Sequence, residues 1–118
     1  MKKLAIYPGS FDPITKGHLD IIKRSVELFQ EFKIGVLINS SKKNWFTIEE
    51  RVNLIKDILK KENLNVEVVS FEGLVVDFMN EQNADILIRG LRAVSDYEYE
   101  LQFTLTNTIL AKKKFETL

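Results

Sequence analysis

The sequence predicts an α/β protein, a doubly wound domain built on a parallel sheet. Short apolar runs alternate with longer stretches of helical periodicity, which is the strand and helix alternation of parallel sheets. The apolar runs are continuous, as in strands covered on both faces. No repeat, low-complexity tract or linker divides the 118 residues, so we expect a single domain over residues 1–118 with right-handed crossovers.

The first half of the chain predicts two strands, each followed by a helix. The run KLAIYP stops at Pro8 and Gly9, and KIGVLIN (33–39) forms the second strand. After the polar loop SSKKNWF, Thr47 and Glu50 have the spacing of a capping box and open the second helix. The predicted apolar faces are Leu19, Ile22, Val26 and Phe29 on the first helix and Val52, Ile55 and Leu59 on the second.

The second half continues the alternation. NVEVVSF (65–71) predicts a third strand, GLVVDFMNEQN a short helix, and DILIRG (85–90) a fourth strand that ends in arginine and glycine. Ser95 and Glu98 have capping-box spacing again, and the helix they open extends to about Ala111.

Composition excludes several function classes. Seventeen basic residues balance seventeen acidic ones, so no overall field favours nucleic acid or an anionic membrane. Without cysteine, and with one histidine, the chain has no thiolate chemistry and no multi-histidine metal site. A metal is expected to be oxygen-bound magnesium that arrives with a phosphate ligand. The apolar run after the first two lysines is too short for a signal peptide, and no run could span a membrane, so we expect a cytoplasmic protein.

The predicted strand ends share one chemistry. Ligands of open parallel sheets bind outside the carboxyl ends of the strands. The loops at that edge contain donors and cations that favour phosphate. These residues are Ser10, Thr15, His18, Lys42, Lys43, Arg89 and Arg92. The sequence contains neither the P-loop motif nor the glycine-rich dinucleotide fingerprint.

Each of these residues also has a structural explanation. The two lysines could be solvated loop residues, Ser10 a turn residue, and Thr15 a helix cap. For Arg89 a functional role is the stronger explanation, because this residue ends a buried strand where the sheet opens. His18 lies one helical turn before Ile22 and is expected to face the sheet edge, so it could be either a packed side chain or a ligand contact.

The motifs resemble a known family. Thr15 to His18 matches the T/H-x-G-H signature of the nucleotidyltransferase superfamily. The segments YPGSFDPITKGHLDII, SKK, FTIEERV, VEVVSFEGLVVDF and LIRGLRAVSDYEYELQ are similar, in order and spacing, to bacterial phosphopantetheine adenylyltransferases. The resemblance extends over essentially all 118 residues and implies a Rossmann-like fold.

The resemblance implies that an adenylyl group passes from ATP, with Mg²⁺, to 4′-phosphopantetheine, giving dephospho-coenzyme A and pyrophosphate. It also implies a homo-oligomer, a hexamer in the family, and no nucleic-acid or membrane partner. His18 and Lys42 match catalytic positions. The implied ATP contacts are Ser10, Phe11, His18, Gly90, Leu91, Arg92 and Glu100. The implied phosphopantetheine contacts are Ser10, Lys42, Val75 and Arg89.

The match departs from the family pattern at the carboxyl end. KKKFETL lies about where the family's fifth strand begins, and the serine-rich stretch and final helix that follow in the family are absent. We therefore expect a C-terminally incomplete domain, truncated before or within the fifth strand. Two alternatives stay open. One is a non-catalytic fragment that binds nucleotide or phosphopantetheine only, and the other is a nucleotidyltransferase with a different phosphate acceptor.

Overall fold

The computed structural model describes residues 3–38, 44–89 and 116–117. Strands and helices alternate through these residues, which confirms the predicted fold class. The elements are β1 (Leu4–Gly9), α1 (Lys16–Leu28), β2 (Glu31–Ile38), α2 (Ile48–Lys61), β3 (Glu67–Glu72), α3 (Val75–Glu81), β4 (Ile86–Leu87) and β5 (Glu116–Thr117). The helix predicted after Ser95 lies outside the described residues.

The strands form one sheet in the order β3-β2-β1-β4-β5, and every described pair is parallel. The chain runs outward from β1 to β2 and β3, then returns to place β4 on the other side of β1. The strand order therefore reverses between β1 and β4, and the carboxyl ends of these two strands form the topological switch point. β5 pairs with β4 where the sequence predicts the fifth strand to begin.

The two faces of the sheet are covered by different helices. Ala5 and Tyr7 of β1 pack on the side of α1 and α2, in a cluster that includes Ile22 and Ile55. Leu4 and Ile6 face the other side and join the buried residues of α3. Alternate residues of one strand thus enter separate cores, which explains the continuous apolar run. None of the helices in the described ranges is long and apolar enough to cross a membrane.

Two threonines begin the longer helices. Thr47 caps α2 and forms the predicted capping box with Glu50. Thr15 caps α1 in the same way, with His18 in the position that glutamate or glutamine usually takes. On α2 the fully buried face is Arg51, Ile55 and Leu59, whereas Val52 is only partly buried. The buried face of α2 therefore carries the charged side chain of Arg51, where the sequence predicted the apolar side chain of Val52.

Gly35 in β2 leaves room for a stacked aromatic pair. The rings of Phe71 and Phe78 lie 4.2 Å apart and nearly parallel, at 6°. A Cβ on Gly35 would lie 2.6 Å from Cε2 of Phe78. Gly35→Ala should therefore lower the free energy of unfolding by about 1–3 kcal/mol through overpacking, measured by urea denaturation.

A double-mutant cycle identifies the source of that loss. Phe78→Leu removes the ring atoms that the new methyl group would meet, so Gly35→Ala should cost less in the Phe78→Leu background than in the wild type. Equal costs in both backgrounds would show that the stacked ring is not the obstacle.

Candidate functional site

Four of the predicted site residues that the structure describes, Ser10, Phe11, His18 and Arg89, lie around the switch point between β1 and β4. The loop from Ser10 to Thr15 leaves the carboxyl end of β1 and leads directly into α1. Arg89 follows β4, the neighbour of β1, and the Ile88 amide extends the ladder by donating to the Ile6 carbonyl at 2.9 Å. Strand pairing thus brings to one edge of the sheet two segments that are far apart in sequence, and the N-terminus of α1 lies at the same edge.

The imidazole ring of His18 packs against the rings of Phe11 and Tyr7. Phe11 has a positive φ of 46°, and its side chain is only 2% exposed. Its ring meets Tyr7 edge-on at 5.2 Å and His18 at 4.9 Å between centroids. His18 is half-buried against these rings, at the sheet edge where the sequence placed it. The packing restricts the orientations available to the imidazole.

A capping box fixes which nitrogen of His18 carries the proton. The Thr15 amide donates to Nδ1 of His18 at 2.9 Å, and the His18 amide donates to the Thr15 hydroxyl at 3.3 Å. An N–H donor needs a lone pair on Nδ1, so in this geometry the ring is neutral with its proton on Nε2. The structure thus confirms the helix-cap explanation for Thr15, which also orients the histidine.

Asp12 joins the loop after β1 to the segment that precedes α2. Its Oδ2 accepts the Trp45 amide at 2.7 Å, and its Oδ1 accepts the Phe46 amide at 2.8 Å. Both carboxylate oxygens thus hold backbone groups just before the Thr47 cap. Asp12 is not among the residues that the sequence predicts for the site. Its only signal was an aspartate in the turn sequence FDP, which also suits an ordinary turn.

Asp12→Ala should separate these two loops. Hydrogen bonds to a charged acceptor contribute about 1.5–3 kcal/mol each, and partial exposure reduces that value here, so we expect a loss of about 2 kcal/mol in urea unfolding. The amides of Trp45 and Phe46 should also exchange faster with deuterium. Asp20→Ala is the matched control, because Asp20 is exposed and pairs, among the described residues, with Arg24 of its own helix. If Asp12→Ala lowers the free energy of unfolding no more than Asp20→Ala does, Asp12 does not hold the two loops together.

Arg51 contacts the same loop from α2. Its Nη1 donates to the Ser10 carbonyl at 2.8 Å and to the Leu37 carbonyl at 2.9 Å. Arg51 is also absent from the residues predicted for the site, although its position in the helical pattern could have identified it. Arg51 lies four residues before Ile55 and therefore on its face of the helix. An arginine on an apolar face indicates a buried polar contact.

The remaining predicted site residues divide into described and undescribed ones. Arg89 lies at the site edge, and its Nε and Nη2 are buried. Val75 is 3% exposed and packs in the α3 core, while its neighbour Leu74 is 45% exposed. The predicted site residues outside the described ranges are Lys42, Lys43, Gly90, Leu91, Arg92 and Glu100. The roles of all the predicted site residues, described or not, stay predictions.

Within residues 3–38, 44–89 and 116–117, no group of three histidine, aspartate or glutamate side chains could hold a metal ion. An imidazole and a guanidinium group lie at the described site edge, and both kinds of N–H donor suit an anion. The arrangement can therefore orient phosphate groups, and a Mg²⁺ ion there would take its ligands mainly from phosphate oxygens and water.

Comparisons with known sequences agree with this chemistry. The cytidylyltransferase-like family model matches residues 6–117. A phosphopantetheine adenylyltransferase of Clostridium perfringens strain SM101 is 54% identical over 111 residues, which are 94% of this chain and 67% of that protein. The enzyme of the same name from Clostridium botulinum strain Eklund 17B is 57% identical over 108 residues, or 92% of this chain and 67% of that protein. The chain thus spans about two thirds of the length of these relatives.

Solved structures share the fold at low sequence identity. A bifunctional NMN adenylyltransferase/ADP ribose pyrophosphatase from Francisella tularensis superposes with a TM-score of 0.65 at 14% identity, over 100% of this chain and 37% of that one. A lipopolysaccharide core biosynthesis protein from Thermoplasma volcanium has a TM-score of 0.63 at 21% identity, over 100% of this chain and 97% of that one. At these identities the likeness extends to the fold alone.

Proposed function

Because this chain belongs to the phosphopantetheine adenylyltransferases, within the cytidylyltransferase-like family, we propose that it transfers an adenylyl group from ATP to 4′-phosphopantetheine. The products are dephospho-coenzyme A and pyrophosphate. The structural observation that supports this proposal is the neutral, oriented imidazole of His18 at the β1–β4 switch point. The acceptor and ATP are cytoplasmic metabolites, so we place the activity in the cytoplasm.

The reaction needs positioning more than a strong base. An oxygen of the acceptor phosphate, already anionic at neutral pH, attacks the α-phosphorus of ATP. The new P–O bond forms as the bond between the α-phosphorus and the bridging oxygen to the β-phosphate breaks, and pyrophosphate leaves with that electron pair. No covalent enzyme intermediate is required. The protein must hold two anions in line and stabilise the charge that develops on the α-phosphate.

His18 supplies a donor for that charge. Because Nδ1 accepts from the Thr15 amide, the ring proton is on Nε2, and we assign to this Nε2–H the hydrogen bond to an α-phosphate oxygen. The ring needs no reorientation during the reaction, because Thr15 and Phe11 hold it on two sides. A preorganised donor of this kind typically contributes ~10²- to 10³-fold in rate.

We assign each of the other predicted site residues to one of the two substrates. Ser10, Lys42 and Arg89 hold the acceptor phosphate, and Val75 or its exposed neighbour Leu74 lines the path of the pantetheine arm. The nucleotide lies against Phe11 and the segment that holds Gly90, Leu91, Arg92 and Glu100. ATP arrives as its magnesium complex, and that ion offsets phosphate charge. We also propose that the protein forms a homo-oligomer, and light scattering would measure the number of subunits.

A pyrophosphate-release assay tests the proposal. The 118-residue chain is incubated with ATP, Mg²⁺ and phosphopantetheine, and the nucleotide product is identified by mass. We expect pyrophosphate and dephospho-coenzyme A in equal amounts. Nicotinamide mononucleotide and a sugar phosphate serve as control acceptors and should give no product. Ligand binding by calorimetry without turnover would overturn the assignment of activity to this chain and leave a binding protein.

A further inference from the structure

Arg51 is a buried cation that the proposed reaction does not use. Its side chain lies on the inner face of α2, and the residue is 2% exposed. Among the described residues no carboxylate pairs with it, and its Nε is buried without a hydrogen-bond partner there. Burial of an unpaired charge is costly, so such a residue is unusual in a core that apolar side chains could fill.

The two carbonyls that Arg51 binds have a specific place in the sheet. The ladder between β1 and β2 ends at the pair Gly9 and Val36. Ser10 and Leu37 would form the next pair, and their carbonyl oxygens accept from the same nitrogen, Nη1, at 2.8 and 2.9 Å. The guanidinium therefore bridges the two strands one residue beyond their last pairing.

This bridge belongs to a closed set of contacts around the site edge. Arg51 ties α2 to the carbonyl of Ser10, at the end of β1. Two residues later, Asp12 returns to the amides of Trp45 and Phe46, which immediately precede α2. Side chains of opposite charge thus hold the loop that leads to His18 at two points, Arg51 to α2 and Asp12 to the segment before α2. A shift of α2 would be transmitted to that loop.

From these contacts we propose that Arg51 is a positioning residue for the phosphate-binding edge of the sheet. It fixes the separation between the end of β1 and the end of β2, and it places an uncompensated positive charge behind the loop that carries Ser10. Both effects favour two closely spaced anionic groups at this edge. The inference rests on the proposed adenylyl transfer for its kinetic consequence, whereas its structural consequence can be measured without any substrate.

Two substitutions separate charge from geometry. Arg51→Met keeps an unbranched apolar stem and removes both charge and donors. Arg51→Lys keeps the charge and a donor but loses the planar guanidinium. Arg24→Met is the matched control, because Arg24 is exposed and its ion pair in the described part of the chain is with Asp20. For each variant we would measure steady-state kinetics, thermal unfolding, and deuterium exchange at the amides of Trp45 and Phe46 without ligand.

We expect kcat/KM to fall by ~10- to 10²-fold in Arg51→Met, with kcat itself reduced at saturating substrate, because the reacting groups are displaced. Arg51→Lys should recover part of this loss, and Trp45 and Phe46 should exchange faster in the order wild type, Lys, Met. Arg24→Met should match the wild type in all readouts. Wild-type kcat and wild-type exchange in a folded Arg51→Met protein would overturn the proposal, even if its melting temperature fell.

The exchange measurement keeps this inference separate from the proposed function. If the wild type transfers no adenylyl group but Arg51→Met still accelerates exchange at Trp45 and Phe46, the proposed function fails and the positioning role stands. If Arg51→Met does not fold, Arg51→Lys decides alone. Exchange and kcat within error of the wild type would then overturn the role, and faster exchange with lower kcat would support it.

Discussion

His18→Ala is expected to lower the kcat of adenylyl transfer by ~10²- to 10³-fold while leaving phosphopantetheine affinity mostly intact. In its proposed role the imidazole Nε2–H acts on charge that appears only in the transition state, so its loss should affect the chemical step more than binding. Stopped-flow measurement of pyrophosphate release with both substrates saturating gives kcat, and calorimetry gives the acceptor affinity. A fall in turnover of less than about tenfold would contradict the assigned role, since one preorganised donor typically contributes more.

The capping role of His18 requires its own control. Removing the side chain also removes the hydrogen bond that Nδ1 accepts from the Thr15 amide. That bond contributes about 1 kcal/mol to stability, so His18→Ala should also unfold at lower urea concentration. His18→Gln restores a capping acceptor at the same helix position but not the imidazole. It should recover the stability and not the rate. Recovery of both would mean that the helix cap, rather than the imidazole, supports turnover.

Arg89→Ala is expected to weaken phosphopantetheine binding by ~10- to 10²-fold, a loss equivalent to one charge-assisted hydrogen bond or two. Arg89 follows β4 at the switch point, and its guanidinium is partly buried, so its charge is less screened than that of a surface arginine. ATP affinity should change less than acceptor affinity. Titration calorimetry with each substrate alone measures the two effects separately.

Two further variants delimit the role of Arg89. Arg89→Lys keeps the charge without the planar fork and should bind phosphopantetheine with intermediate affinity. Arg24→Ala removes an exposed arginine that pairs with Asp20 and should change neither affinity. Acceptor affinity of Arg89→Ala within about twofold of the wild type would exclude Arg89 from the acceptor site, because even one lost charge-assisted bond exceeds that change.

Local sequence signals give a hypothesis for the site where one segment contains the whole arrangement. Thr15 and His18 lie in a single loop and helix start, so the sequence could suggest a helix cap at Thr15 and a ligand contact at His18, and the structure confirms the cap. Arg89 was identified for a similar reason, because a strand that ends in arginine marks the edge of a parallel sheet. Asp12 and Arg51 were missed because their partners are distant in sequence. Asp12 binds amides at Trp45 and Phe46, and Arg51 binds carbonyls at Ser10 and Leu37.

The sequence by itself determined the parallel α/β class, the order of its elements, the capped start of α2 and the family, because apolar periodicity, capping spacing and motif order are properties of contiguous residues. Only the tertiary structure decided the strand order, the neutral tautomer of His18, and the buried bridge from Arg51 to the ends of β1 and β2. These depend on which backbone groups meet across the fold. A hydrogen bond forms between groups that lie close together in space, and the spacing of residues along the chain does not reveal that distance.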